Sequence, residues 1–264
     1  MEDLIERAAK DLVDSDYAVA LTGAGFSTES GIRDFRGPSG IWTKDPEAER
    51  RAYESYPRFL KDPKGWWEET LDSPMNLLGD LSKAVPNPGH RTLVELEEMG
   101  ILKCVLTQNI DGLHDRAGSK NLLEDHGNAF KLRCVSCNSR FRLDEFDLQK
   151  LRAEDRLPPS CPGCGGAIKS DIVFFGEGIP GDVAGKSLQQ AWQCDLMLIC
   201  GTSAVVYPFA NLPRVASERQ GVTVIEINAE PTPLTHEHIS DYLIQGKTGE
   251  VLPEILKAVK KMKV

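Results

Sequence analysis

Residues 18–21 are an apolar run, Ala18-Val19-Ala20-Leu21. It breaks abruptly into Gly23-Ala24-Gly25 and then a polar stretch with Ser27, Thr28 and Ser30. A run of this length and β-branched flavour reads as a buried strand. A strand that enters a glycine turn and a helix start gathers backbone amides around one point, a cradle for a phosphate. An ordinary βα turn that needs two glycines satisfies the same pattern. The dinucleotide fingerprint is only partly matched. Its third glycine would fall at Thr28. The acidic residue expected about 20 positions on would close a second strand, where the chain reads Ile41-Trp42-Thr43-Lys44-Asp45-Pro46 with no strand pattern. The loop suits a nucleotide but not an ordinary dehydrogenase.

The strand-then-polar-turn pattern recurs. Residues 2–15 carry Leu4, Ile5, Ala8, Ala9, Leu12 and Val13 at helical spacing, and residues 91–99 form a second amphipathic helix. The strand at 101–107 ends in Gln108-Asn109-Ile110-Asp111-Gly112. An Asp-Gly turn explains Asp111 and Gly112 but not Gln108 and Asn109. Further strands are read at 172–175, 196–200, 222–228 and 242–244, with helices over 183–191, 208–218 and 251–259. Those strands end at Gly176-Glu177, Gly201-Thr202-Ser203, Asn228 and Gly246-Lys247-Thr248-Gly249. The pattern predicts an α/β fold, a doubly wound parallel sheet with polar strand ends along one cleft. His126-Gly127 sits at a chain turn that can aim an imidazole into that cleft, although a lone histidine is usually structural.

Two stretches do not fit the alternation. Between Gly37 and Pro88, prolines interrupt helical fragments dense in Trp42, Tyr53, Tyr56, Phe59, Trp66 and Trp67. This reads as a small inserted helical module or lid whose aromatics are its core. Farther on, Cys134-Val135-Ser136-Cys137 is followed by 23 residues (138–160) and by Cys161-Pro162-Gly163-Cys164. Two such knuckles offer four thiolates to a tetrahedral zinc ion. All four corners are filled by protein, so the ion is structural; a redox C-x-x-C is the competing reading.

Charge and composition narrow the function. The chain has 31 basic and 40 acidic residues in 264, a formal net charge of −9. Residues 128–166 hold 7 basic and 5 acidic residues, 7 − 5 = +2. Neither balance suits a nucleic-acid surface, whereas an acidic chain can receive Lys- or Arg-bearing substrates. Seven cysteines, four of them in tight pairs, indicate metal binding in a reducing compartment. The first residues lack signal-peptide features, and no apolar run approaches the ~18 residues of a membrane span. The expectation is a cytosolic (cytoplasmic) protein with no membrane or direct nucleic-acid partner.

Taken in order, the segment 23–32, Asp34-Phe35-Arg36-Gly37, Thr107-Gln108-Asn109-Ile110-Asp111, His126-Gly127, the two C-x-x-C pairs, Phe175-Gly176-Glu177, Gly201-Thr202-Ser203 and Asn228-Ala229-Glu230 resemble the sirtuins. These are NAD-dependent protein lysine deacylases, and the resemblance runs over residues 3–260. It implies a Rossmann-like NAD domain from 1–36, 87–127 and 174–264. The smaller domain would combine a helical module (37–86) with a zinc-ribbon module (128–173), and NAD and acetyl-lysine substrate would meet in the cleft between. By motif, Gly23, Ala24, Gly25, Gly201, Thr202, Ser203, Asn228, Lys247 and Thr248 would line the phosphates, ribose and adenine of NAD. Asp34, Phe35 and Arg36 belong to the loop over the nicotinamide ribose. Ile32, Gln108, Asn109 and Asp111 flank nicotinamide, with Asn109 and Asp111 catalytic. His126 matches the general base, with a near-neutral pKa expected, and Val173, Phe174 and Phe175 match the acyl-lysine channel. Gly176-Glu177 and Val205-Val206-Tyr207 match the two edges between which substrate peptide adds as a strand. The resemblance further implies that nicotinamide leaves C1′ as the acyl oxygen attacks. The products would be free lysine and O-acetyl-ADP-ribose, and NAD would be consumed.

Four departures from the family pattern stand out. Arg33 takes the place of a common Pro. Asp125 precedes His126 in place of an apolar residue; reaching the imidazole, it would raise that pKa, and pointing to solvent it would do nothing. Ser170-Asp171 replaces a common Pro, with little consequence expected. Thr70 and Ser73 fall where acidic-acyl members carry Tyr and Arg, so acetyl is expected over succinyl. Competing functions are mono-ADP-ribosyl transfer from the same NAD site and a zinc-ribbon scaffold without catalysis.

Overall fold

A computed structural model describes residues 1–37, 40–72 and 81–263. Its centre is strand β1 (Ala18–Thr22), all five residues of which are buried. The burial is complete because β1 pairs on both sides, with β2 (Leu102–Thr107) and β7 (Leu196–Cys200), both parallel. The sheet has six strands in the order β3-β2-β1-β7-β8-β9, with β3 at Leu122–Glu124, β8 at Thr223–Asn228 and β9 at Tyr242–Gln245. Strand order reverses between β1 and β7, the switch point at which ligands bind such sheets. Thr22 lies level with Thr107 and with Cys200, Cys200 with Ile227, and Thr107 with Glu124. Gly23, Gln108, Gly201, Asn228 and Asp125 therefore emerge along a single edge.

Side chains alternate across the strands. Ala18 and Ala20 enter a core with Leu12, Leu93, Leu198, Leu252 and Ile255, whereas Val19 and Leu21 enter one with Leu106, Met197, Ile199, Phe209 and Leu212. The first core is closed by helices α1 (Glu2–Asp14), α5 (Pro88–Glu98) and α11 (Thr248–Met262). The second is closed by α8 (Gly181–Gln193), α9 (Leu212–Ser217) and α10 (Pro233–His236). Helix α5 begins at Pro88 because Asn87 caps it, accepting from the His90 N–H.

A second sheet is antiparallel, ordered β5-β4-β6, from β4 (Lys131–Cys134), β5 (Arg140–Arg142) and β6 (Ile168–Ser170). Helix α7 (Leu148–Ala153) follows β5, and α6 (Leu113–Ala117) follows the turn after β2. Helices α2 (Ile41–Lys44), α3 (Pro46–Lys61) and α4 (Pro63–Asp72) carry the inserted aromatics. They share a core with the small sheet: Phe59 and Trp67 pack with Leu132, Leu157 and Ile168. The Trp67 indole N–H donates to the Ile168 carbonyl over 2.9 Å.

Three local expectations change. Residues 172–175 are not a strand. The ladder ends where Asp171 N–H donates to Lys131 carbonyl; Val173 N–H then crosses to the His126 carbonyl, and Gly176 (φ 82°) turns the chain. The segment thus bridges the two sheets. The 208–218 helix begins as a 3-10 turn, Phe209–Asn211, before α9. The helix start after Gly23 is also 3-10, Ala24–Ser30. Among the described residues no helix is long and apolar enough to cross a membrane.

Candidate active site

The two glycine turns after β1 and β7 are in contact. The Gly25 N–H donates to the Gly201 carbonyl at 2.8 Å, and a Cβ on Gly25 would lie 2.8 Å from that same oxygen. Gly201 has φ 61°, and its Cβ would meet the Phe26 nitrogen at 2.3 Å. The glycines therefore serve close backbone approach. The amides of Gly23, Gly25 and Phe26 are all taken, by the carbonyls of Cys200, Gly201 and Gly23. Far fewer amides face outward than a strand–turn–helix reading leads one to expect.

Under this contact lies a buried polar cluster. The Asn109 amide nitrogen donates to the Gly23 carbonyl at 2.9 Å and to Ser27 Oγ at 3.2 Å. Ser27 donates to Asp111 at 2.7 Å, and the second Asp111 oxygen accepts the Leu113 N–H at 2.9 Å. Burial raises the Asp111 pKa, and these two hydrogen bonds hold it back in part. Gln108 Nε2 donates to Thr202 Oγ1 at 3.0 Å, tying the ends of β2 and β7. Thr22, Thr107 and His114 extend the cluster: Thr22 Oγ1 lies 2.8 Å from Thr107 Oγ1 and 2.9 Å from His114 Nε2. Ser27, Thr22, Thr107 and His114 were not legible as site residues. A lone hydroxyl beside glycines carries no spacing signal, and only the register of β1 against β2 brings them together.

His126 follows β3 on the same edge, its ring 5.7 Å from that of Phe209. Burial pulls its pKa down to about 4, opposed in part by a hydrogen bond to the Gln108 backbone carbonyl. This corrects the near-neutral value expected from sequence: desolvation penalises the imidazolium. Asp125 takes neither of the two courses open to it. It is buried and accepts from Ser187 Oγ at 2.7 Å, and burial pushes its carboxyl up to about 7. Ser170-Asp171 is also far from inconsequential, because the buried Asp171 is 3.1 Å from Arg133 and 3.4 Å from Arg140.

The remaining expected positions fall around this centre. The Phe35 ring lies tilted 4.8 Å from that of Trp42, the Arg36 guanidinium lies 4.4 Å over the Trp42 ring, and Asp34 accepts the Gly37 N–H. Ile32 donates to Ser27 carbonyl through its N–H, and Arg33 is exposed. Phe175 sits between Trp42 (5.4 Å) and Tyr53 (4.6 Å), and Phe174 faces Trp66 at 5.6 Å. Val205 and Tyr207 are exposed beyond β7, with Val206 half-buried. Asn228 donates to the buried Glu226 at 3.1 Å. Lys247 is exposed and paired with Glu250, and Ser203 is exposed. Thr248 is buried, yet its Oγ1 has no hydrogen-bond partner, as is true of Ser30 Oγ. Thr70 Oγ1 donates to the Trp66 carbonyl, so it is committed to its helix; Ser73 lies outside the described residues.

The four paired cysteines also converge. Their sulfurs all lie within 4.8 Å of one another, with Cys134–Cys164 at 3.5 Å and Cys137–Cys161 at 3.7 Å. Tetrahedral Zn–S bonds of 2.3 Å require S···S separations of about 3.8 Å, so the donor set fits a zinc ion.

The Sir2 family model matches residues 23–208. An NAD-dependent protein deacylase of Thermococcus kodakarensis is 44% identical over 257 residues, covering 97% of this chain and 96% of the relative. A Sir2 homolog–NAD complex superposes with TM-score 0.75 at 38% identity, covering 98% and 95% of the two chains. A Sir2 variant with deacetylated p53 peptide and 3′-O-acetyl-ADP-ribose gives TM-score 0.77 at 33% identity, covering 96% and 97%.

Proposed function

The chain belongs to the Sir2 family, and from that premise we propose that it is an NAD-dependent protein lysine deacetylase. It moves the acetyl group of a substrate lysine onto ADP-ribose, giving nicotinamide, free lysine and O-acetyl-ADP-ribose. The observation that carries this reading is the Ser27–Asn109–Asp111 cluster set beneath the touching glycine turns, with the His126 ring bonded to the neighbouring Gln108 carbonyl.

The chain's own groups fit NAD. The Gly23–Gly25 turn is smooth enough for a pyrophosphate to approach, and the orphaned Ser30 and Thr248 hydroxyls are polar atoms in want of a partner. Gly201, Thr202, Ser203, Asn228 and Lys247 complete that side. When bound, NAD supplies the glycosidic bond that is broken. Asn109 and Asp111, with Ile32 and Gln108, orient the nicotinamide carboxamide. Asp34, Phe35 and Arg36 cover the ribose. His126 is unprotonated throughout the neutral range and accepts a proton from a ribose hydroxyl. Val173, Phe174 and Phe175 line the acyl-lysine channel. Gly176, Glu177, Val205, Val206 and Tyr207 take the peptide backbone as an added strand.

One zinc ion held by Cys134, Cys137, Cys161 and Cys164 staples the ribbon. We divide the chain into the NAD domain 1–36, 87–127 and 174–264, the helical module 37–86 and the ribbon 128–173. The two cores on the faces of the large sheet, distinct from the one that the helical module and the ribbon share, support setting the NAD domain apart. All seven cysteines are free of disulfides, which supports a reducing, cytosolic setting. Thr70 offers no group to a second carboxylate, which supports acetyl over succinyl.

The test is incubation with acetylated peptide and NAD. Strictly NAD-dependent formation of the deacetylated peptide with O-acetyl-ADP-ribose supports deacetylation. ADP-ribose label left on protein, faster succinyl turnover, or full activity in His126→Ala each overturns part of it.

A further inference from the structure

Residues 171–177 leave β6 as irregular chain, yet they are held by four buried charges. Lys169 has no exposed surface. Its Nζ donates to the carbonyls of Ser170 (2.9 Å) and Ile172 (2.6 Å), lies 3.0 Å from the Glu177 carboxylate, and sits 4.4 Å over the Phe174 ring. The buried Glu177 carboxylate also accepts the Phe174 N–H at 3.0 Å and Arg133 at 2.6 Å. Arg133 turns its Nε to Asp171 at 3.1 Å. Two buried cations thus face two buried anions, with the exposed Arg140 also 3.4 Å from Asp171.

The other flank of the segment is anchored beside His126. Val173 N–H donates to the His126 carbonyl at 2.8 Å, and a Cβ on Gly127 would lie 2.0 Å from the Asp171 carbonyl oxygen. A buried ion pair is a poor device for stability alone, since apolar side chains of similar volume fill the same space at no desolvation cost. Apolar side chains cannot, however, grip two carbonyls and an N–H of one irregular segment. That grip sets where residues 173–175 stand relative to His126.

We propose that Lys169 and Glu177 are positioning residues for the acyl-lysine half of the reaction: their ion pair holds Val173, Phe174 and Phe175 in register with His126 and leaves NAD binding alone. The proposal rests on the reading of residues 173–175 as the acyl-lysine channel. It also gives Glu177 a side-chain task beyond its backbone edge.

The test compares Lys169→Met and Lys169→Arg with the parent protein in three measurements: acetyl-peptide kinetics, NAD affinity by calorimetry, and amide exchange at Val173 and Phe174. Lys169→Met should lower peptide kcat/KM about tenfold or more, chiefly through KM. Its Phe174 amide should exchange about tenfold faster, while NAD affinity stays within about twofold. Lys169→Arg, which keeps charge and donors, should restore all three. An unchanged peptide KM and unchanged exchange in folded Lys169→Met overturns the proposal, as does an equal loss of NAD affinity. If Lys169→Met does not fold, Lys169→Met with Glu177→Gln leaves no unpaired charge and carries the same comparison. A parent protein without NAD-dependent turnover would sink the deacetylase reading, and the amide-exchange comparison would still judge the clamp.

Discussion

Ser27 and Asp111 stand 84 positions apart and meet over 2.7 Å, hydroxyl to carboxylate, with both residues buried. Ser27 comes from the turn after β1 and Asp111 from the turn after β2. Their hydrogen bond locks the two turns at the place where the strands end level. It is one of the two hydrogen bonds that oppose the desolvation of Asp111, the other coming from the Leu113 N–H.

Ser27→Ala removes that donor and leaves the carboxylate with the Leu113 N–H. A loss of about 1–3 kcal/mol in unfolding free energy is expected, together with weaker turnover at saturating peptide. Denaturant unfolding and a kcat measurement check it; no change in either would mean the bond positions nothing.

His126→Ala should cost about 10²–10⁴-fold in kcat/KM, the usual scale of a lost general base. The imidazole must be unprotonated to accept, and burial holds its pKa near 4. Activity should therefore fall on the acid side as pH drops through about 4. A pH profile of kcat/KM decides, and an acid limb near the ordinary histidine value of about 6.5 would contradict the buried setting.

Asp125 keeps its proton in the folded chain up to about pH 7, against an ordinary 3.8. Its folded pKa is the raised one, so its contribution to stability is complete below pH 3.8 and drains away as pH rises through about 7. Asp125→Asn keeps a partner for Ser187 without the charge. It should gain on the parent protein as pH rises from about 4 to about 8, by on the order of a few kcal/mol at the top. Melts at both ends of that range test this; a constant difference would rule out a buried titrating carboxyl.

Chelation should release one zinc per chain and loosen the ribbon. Cys134 and Cys161 are buried in the same core as Trp67, whose indole N–H bonds Ile168. Metal loss should red-shift tryptophan emission and abolish turnover together, and Cys161→Ser should reproduce both. Emission and activity that survive complete zinc removal would leave the four thiols without a structural task.

Five of the six strands of the large sheet were readable because each is a short apolar run closed by a polar turn, as in Leu196–Cys200 before Gly201. The same signal misled at residues 172–175. Ile172-Val173-Phe174-Phe175 has strand composition, but its hydrogen bonds go to His126 and to Glu177 in place of a neighbouring strand. Leu122–Glu124 is a strand of three residues, too short for any periodicity. The small sheet was hidden because Arg133 and Lys169, both buried, read as surface residues until their partners Asp171 and Glu177 are brought beside them. Asp125 was ambiguous for the same reason, its partner Ser187 lying 62 positions away. The cysteine knuckles were the easiest feature to read, since their spacing alone states the chemistry.

Trp67 and Ile168 are 101 positions apart, and their side-chain–backbone bond closes a core that neither the helices nor the ribbon completes alone. A chain leaving the ribosome exposes Phe59, Trp66 and Trp67 long before Ile168 exists. Domains generally fold as units from the N-terminal side during synthesis. Here the inserted helices must wait for the second cysteine pair and β6 to be made. The most aromatic stretch of the molecule thus waits 101 positions for its shelter, and its exposure time is set by the pace of translation and by the supply of zinc.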